Sequence, residues 1–121
     1  MRILVAEDDQ TTSKAECAML RTLGHQPIPA FDAVQALMLA MRSPQPDAIV
    51  LDLNMPGGTG MGALEKLKSS SRTCEIPVIV LSGVSANSLK ESAIGLGAVA
   101  FLQKPADADA LKAALDGLGP A

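Results

Sequence analysis

"DAIVLDLNMPGGTGMGALEKL", residues 47–67, decides how the chain is read. After Asp47, residues 48–53 are apolar except for one acid, Asp52, near the end of the run. Apolar side chains without alternation mark a strand buried on both faces. A stretch rich in glycine and proline follows, and then the spacing of "GALEKL" is helical. The unit is therefore strand, tight loop, helix. Gly58, Gly60 and Ala63 also fit G-x-G-x-x-G/A, a fingerprint for binding dinucleotides. Either this loop cradles phosphates or the acid in front of it does the chemistry.

The same unit recurs along the chain. Strands are predicted over 2–7, 26–31, 47–53, 77–83 and 99–103, and helices over 10–24, 32–43, 62–71, 86–97 and 107–118. Ala15, Ala18, Met19, Leu20 and Leu23 mark the buried face of the first helix, Gly24 stops it, and Asp32 caps the second. Pro27 and Pro29 cannot donate to a ladder, so the second strand belongs at a sheet edge. "SPQP" (43–46) reads as a loop. Five strand–helix units with right-handed crossovers give a doubly wound α/β fold. The expectation is a flavodoxin-like three-layer sandwich with a parallel sheet ordered 2-1-3-4-5, one domain over 1–121.

Composition narrows the function. The chain of 121 residues has two Phe, no Trp and no Tyr, so Leu, Ile, Val, Ala and Met build the core. Stacking on nucleic-acid bases has few side chains to use. The net charge of −3 and the lack of a basic stripe point away from direct nucleic-acid binding. No apolar run spans a bilayer, and "MRILVAEDDQ" reaches acids too soon for a signal peptide. A cytoplasmic protein is expected. Cys17 and Cys74 lack metal-ligand spacing and lie beside apolar residues, which reads as buried free thiols.

Sites in open α/β sheets form at the carboxyl ends of the strands. The first strand delivers Glu7, Asp8 and Asp9 there, the third Asp52 and Asn54, the fourth Ser82, the fifth Lys104 and Pro105. In the order 2-1-3-4-5 the acids of the first and third strands converge. Two like charges about 4 Å apart cost about 4 kcal/mol at an effective dielectric near 20, so such acids stay ionised together only around a cation. An all-oxygen set suits Mg2+ or Mn2+. A cation with Lys104 opposite makes a cradle for a phosphoryl group. Asp52 lies between them and can form an acyl phosphate, with the Ser82 hydroxyl facing another phosphoryl oxygen. The dinucleotide fingerprint, by contrast, belongs on a first strand–helix unit with an acid about twenty residues on. Here it follows the third strand, and the positions near residue 80 read "VIVLSG", so the match is accidental.

"ILVAEDD", "IVLDLNMPGGTG", "VIVLSG" and "FLQKP" together resemble the receiver domain of bacterial two-component response regulators, over essentially the whole chain. The resemblance implies that Asp52 is the phosphoacceptor, that Asp8 and Asp9 hold Mg2+ with help from Asp52 and the Asn54 carbonyl, and that Ser82 and Lys104 assist. It implies a cis peptide at Lys104–Pro105. It further implies a switch in which Ser82 moves toward the phosphoryl group and Phe101 turns inward, repacking the face of the fourth helix, fifth strand and fifth helix. The phosphodonor would be a histidine kinase or a histidine phosphotransfer protein. The output would be a downstream protein or an output domain outside this chain. Such a domain is a signalling receiver that catalyses its own phosphorylation and slow dephosphorylation, not an enzyme acting on a separate substrate.

Some positions depart from the family's pattern. Thr59-Gly60 stands where Asp-Gly is common, and Phe101 where Tyr is frequent. Val84, two residues after Ser82, cannot orient a water, so slow loss of the phosphoryl group is expected. Two rival readings remain. A Mg2+-dependent phosphohydrolase of the haloacid-dehalogenase type wants an acid two residues after its nucleophile, where Asn54 stands. A receiver-like module that never becomes phosphorylated would have no use for the acids, Ser82 and Lys104.

Overall fold

Strands β1 (Arg2–Ala6), β2 (Gln26–Ala30), β3 (Ala48–Asp52), β4 (Val78–Ser82) and β5 (Ala100–Gln103) form one parallel sheet ordered β2-β1-β3-β4-β5. Helices α1 (Gln10–Thr22), α2 (Ala33–Met41), α3 (Gly60–Ser69), α4 (Asn87–Gly95) and α5 (Ala108–Asp116) alternate with them. The computed structural model describes residues 1–53, 60–83, 87–105 and 107–118. The expected fold class and strand order are both observed.

Side-chain alternation divides the core in two. Leu4, Ile49, Leu51, Val78 and Val80 point to one side, where Ala36 and Ala40 of α2, Leu64 and Leu67 of α3 and Ala93 of α4 complete the layer. Ile3, Val5, Val50, Ile79 and Leu81 point to the other, against Leu20 of α1 and Leu111 and Leu115 of α5. All residues of β3 and β4 are buried, which is why their sequences show no alternation. β2 sits at the edge. Gln26 donates its backbone N–H to Met1 O at 2.8 Å. Successive N–H groups of a strand face opposite sides, so positions 27 and 29 face away from β1, where proline removes no ladder bond.

Two expectations are corrected. The buried face of α1 is Ser13, Glu16, Cys17 and Leu20, while Ala15 and Ala18 are exposed. Counting back from Leu20 by one and then two helical periods brings Glu16 and Ser13 inward, and neither is apolar. Cys17 is buried but Cys74 is exposed. Its neighbour Thr73 takes the inward place, its hydroxyl donating to Leu67 O at 2.6 Å. The 43–46 loop contains a cis Ser43–Pro44 peptide. Gly24 ends α1 at φ +91°, a backbone state that costs glycine nothing.

One glycine of the opening stretch has a defined job. Gly60 donates its N–H to Leu53 O at 3.0 Å, folding the start of α3 back onto the end of β3. A Cβ at Gly60 would lie 2.3 Å from Leu53 Cα and 2.6 Å from Asp52 O. Backbone must move to admit it. At Gly95, in contrast, a Cβ meets nothing within 4 Å. Gly60→Ala is expected to cost about 2 kcal/mol or more of unfolding free energy, and Gly95→Ala to be neutral or stabilising by up to about 1 kcal/mol, read by urea titration. Equal effects of the two substitutions would show that the close approach at Gly60 is not limiting.

Candidate functional site

The first residues beyond three strands are pinned by backbone bonds that continue the ladder. Glu7 N–H donates to Ala30 O at 2.9 Å, Leu53 N–H to Leu81 O at 3.1 Å, and Lys104 N–H to Ser82 O at 2.8 Å. The loops therefore leave the sheet from fixed points. Asp52 and Ser82 are the last residues of β3 and β4, and both are buried. Lys104 directly follows β5, before a cis Lys104–Pro105 peptide, as expected.

The Lys104 ammonium reaches across the strand ends. Its Nζ lies 3.1 Å from Asp52 Oδ2 and also hydrogen-bonds Glu7 Oε1. Carboxylate oxygens of Glu7, Asp8 and Asp52 lie within 4.8 Å of one another. Glu7 and Asp52 are buried and Asp8 is exposed, so the group opens to solvent on the side of Asp8. Three acids against one lysine leave the pocket short of positive charge. An all-oxygen set that is partly open to water fits a hard divalent cation such as Mg2+.

This group differs from the expected one. Asp9 stands outside it as the N-cap of α1, where its carboxylate accepts from Thr12 N–H at 3.0 Å and from the Thr12 hydroxyl. Those bonds hold the Asp9 carboxyl below its ordinary pKa. Glu7, not Asp9, is the acid that lies with Asp8 and Asp52. The signal for this was present in the sequence. Glu7 directly follows the strand, and Asp9 directly precedes a helix, the position where aspartate caps. Asn54, expected to lend a carbonyl, and Val84 lie outside the described residues, as do Gly58 and Thr59. Phe101 is half-buried on β5 and packs against the core layer under α2, α3 and α4.

The charges are mutually adjusted. Burial raises the Glu7 carboxyl from 4.5 to about 7, with the Asp52 carboxylate adding to the rise and Lys104 opposing it. Burial alone would lower Lys104, but its bonds to Glu7 and Asp52 outweigh that and raise it. A second buried acid escaped the sequence reading. Glu16 of α1 is 2 % exposed, and its Oε2 has no hydrogen-bond partner among the described residues. Burial, and next the repulsion of Glu7, raise it from 4.5 to about 7.

A family described as the response regulator receiver domain matches residues 3–116. The chain belongs to this family. Among its relatives is PhoB of Escherichia coli, a phosphate regulon transcriptional regulatory protein, 35% identical over 104 residues, which are 86% of this chain and 45% of PhoB. The chain thus spans about half the length of that relative. Protein PilH of Pseudomonas aeruginosa is 34% identical over 110 residues, 91% of this chain and 90% of PilH. Among solved structures, the receiver domain of the sensor histidine kinase PA1611 from Pseudomonas aeruginosa PAO1 is 28% identical, with a TM-score of 0.86 over 96% of this chain and 94% of that one. That structure has a magnesium ion coordinated in its active site cleft. In this receiver no described helix is long and apolar enough to cross a membrane.

The receiver's buried Glu16 makes a stability prediction. Its folded pKa lies above its ordinary value, so the stabilisation belonging to the neutral carboxyl is complete below about pH 4.5 and is lost as pH rises through about 7. Glu16→Leu is expected to stabilise the metal-free protein by about 2 kcal/mol at pH 8 and by less at pH 5, measured by denaturant unfolding. A gain that does not vary with pH would show that Glu16 does not titrate in this range.

Proposed function

We propose that this receiver accepts a phosphoryl group on Asp52 from the phosphohistidine of a histidine kinase or histidine phosphotransfer protein. The observation that carries the reading is the placement of Asp52, at the end of β3, 3.1 Å from Lys104 Nζ and grouped with Glu7 and Asp8. An Asp52 carboxylate oxygen attacks phosphorus. A P–O bond forms, the P–N bond of the donor breaks, and its imidazole leaves with the electron pair. Asp52, only 2 % exposed, is held in place for that attack. Lys104 neutralises charge on a phosphoryl oxygen from one side. Glu7, Asp8 and Asp52 would hold Mg2+, which when bound supplies the remaining positive charge on the transferring oxygens. Ser82 offers its hydroxyl to a phosphoryl oxygen.

The output reading follows from the register. Phe101 stands opposite Val80, two residues before Ser82 on the neighbouring strand. Movement of Ser82 toward a new phosphoryl group would alter packing at Phe101 and hence the face of α4, β5 and α5. The phosphoryl group selects that packing only by binding it better. The partner of that face is proposed to be a protein, or an output domain outside this chain. The net charge of −3 and the lack of a basic stripe argue against direct nucleic-acid binding by this segment.

Intact mass after incubation with acetyl phosphate and Mg2+ tests the reading. One added phosphoryl group is expected, and none in Asp52→Asn or without Mg2+. Lys104→Met is expected to slow phosphorylation by about 10²-fold while Mg2+ still binds, as for loss of one charge-stabilising donor. Unmodified protein with phosphohistidine donor, acetyl phosphate and beryllofluoride alike would overturn the proposal. Val84 has no polar atom to orient a hydrolytic water. Replacing it with a polar residue is therefore expected to shorten the acyl-phosphate lifetime, followed by the decay of the phosphorylated mass.

A further inference from the structure

Six large apolar side chains are exposed among the described residues, and four of them fall on one line. Phe31, Val34, Met38 and Met41 are 39%, 58%, 55% and 37% exposed. Their spacing of three, four and three residues is that of a seam by which one helix packs against another. Three lie on α2 and the fourth directly precedes its cap. The seam is built, not frayed. The Asp32 carboxylate caps α2 by accepting from Gln35 N–H at 2.7 Å, and the Gln35 side-chain oxygen accepts from Phe31 N–H at 2.7 Å. That reciprocal pair fixes Phe31 at the head of the line. The opposite face of α2, Ala33, Ala36 and Ala40, is already spent on the core. Beside the seam, Asp32, Val34, Gln35, Met38, Leu39 and Arg42 line a shallow groove of about 440 Å³.

The charges say what covers it. The seam itself carries none. An acid, Asp32, stands at its N-terminal end. Arg42 stands at its C-terminal end, where the guanidinium of Arg72 also donates to Met41 O at 2.9 Å. A helix laid antiparallel on this face needs a basic group opposite Asp32 and an acid opposite Arg42. A second copy of α2, turned about a twofold axis near residue 37, presents that arrangement. It also brings Met38 of each copy against the groove beside Val34 of the other, and opposes the two helix dipoles. We propose that α2 is a self-association surface through which this chain forms an antiparallel, twofold-symmetric dimer. Four side chains, three of them on a helix of nine residues, cover less than the roughly 800 Å² per partner of a standard interface, so the dimer is weak and concentration-dependent.

Sedimentation equilibrium of the unphosphorylated protein from about 10 μM to about 1 mM tests this, the range in which an interface below standard size dissociates. The wild type is expected to pass from monomer to dimer. Met38→Lys and Val34→Lys, both at exposed positions and checked for retained fold by circular dichroism, are each expected to weaken association at least tenfold. Arg42→Glu sets like charges across the axis and is expected to weaken it as well. Adding Asp32→Asn, which keeps a capping side chain, is expected to recover part of that loss. A monomer throughout the range overturns the proposal, since another occupant must then cover the seam. So does a dimer that Met38→Lys and Val34→Lys leave unchanged. A dimer sensitive to these two but indifferent to Arg42→Glu overturns the antiparallel arrangement.

Discussion

The ammonium of Lys104 joins Glu7 and Asp52, so that residues at the carboxyl ends of the first, third and fifth strands meet. Everything distinctive about this molecule's edge depends on that bridge. Both carboxylates are buried, and a buried carboxylate without a partner is too costly to keep ionised. The lysine makes their burial tolerable but does not balance it, because Asp8 adds a third negative group beside them. The result is a pocket with an electrostatic deficit, held open by a sheet that cannot relax. Such a deficit is satisfied by whatever cation or charged transition state the protein is built to hold.

Rigidity comes from the backbone, not from the side chains of the site. Three ladder-like bonds, at Glu7, Leu53 and Lys104, extend the sheet one residue past its strands. The contact of Gly60 with the backbone of Leu53 ties the following helix to the same point. A pocket of like charges would spring apart on flexible loops. Here the repulsion is set against close-packed strands whose side chains fill both layers of the core. Glu16 shows the other side of this arrangement. It is buried on α1, one of its oxygens has no hydrogen-bond partner among the described residues, and it feels the charge of Glu7. Its burial is a cost that packing around it has to carry.

Much of the fold was legible because period and position agreed. Apolar runs without alternation, prolines on alternate residues of 26–30 and the Asp32 cap of the second helix specify a buried parallel sheet with one proline-bearing edge. Asp52, Ser82 and Lys104 were legible as neighbours because topology alone brings strand ends together. The pairing of Lys104 with Glu7 was not, since nothing in a sequence states how far a lysine side chain reaches across three strands.

The sequence by itself determined the strand order, the sheet edge at which chemistry can occur and the residue types available there. Only the tertiary structure decided which acids meet. Asp8 and Asp9 look alike as a pair, but a helix begins at Gln10, and an aspartate before a helix satisfies that helix's N–H groups. The acid nearest the strand, Glu7, goes inward instead. The same holds for α1, whose buried face includes Ser13 and Glu16 because helical rotation, not hydrophobicity, sets which side of a short helix meets the sheet once its ends are fixed. Local chemistry is written residue by residue. Which of two equivalent groups is used depends on where the backbone turns.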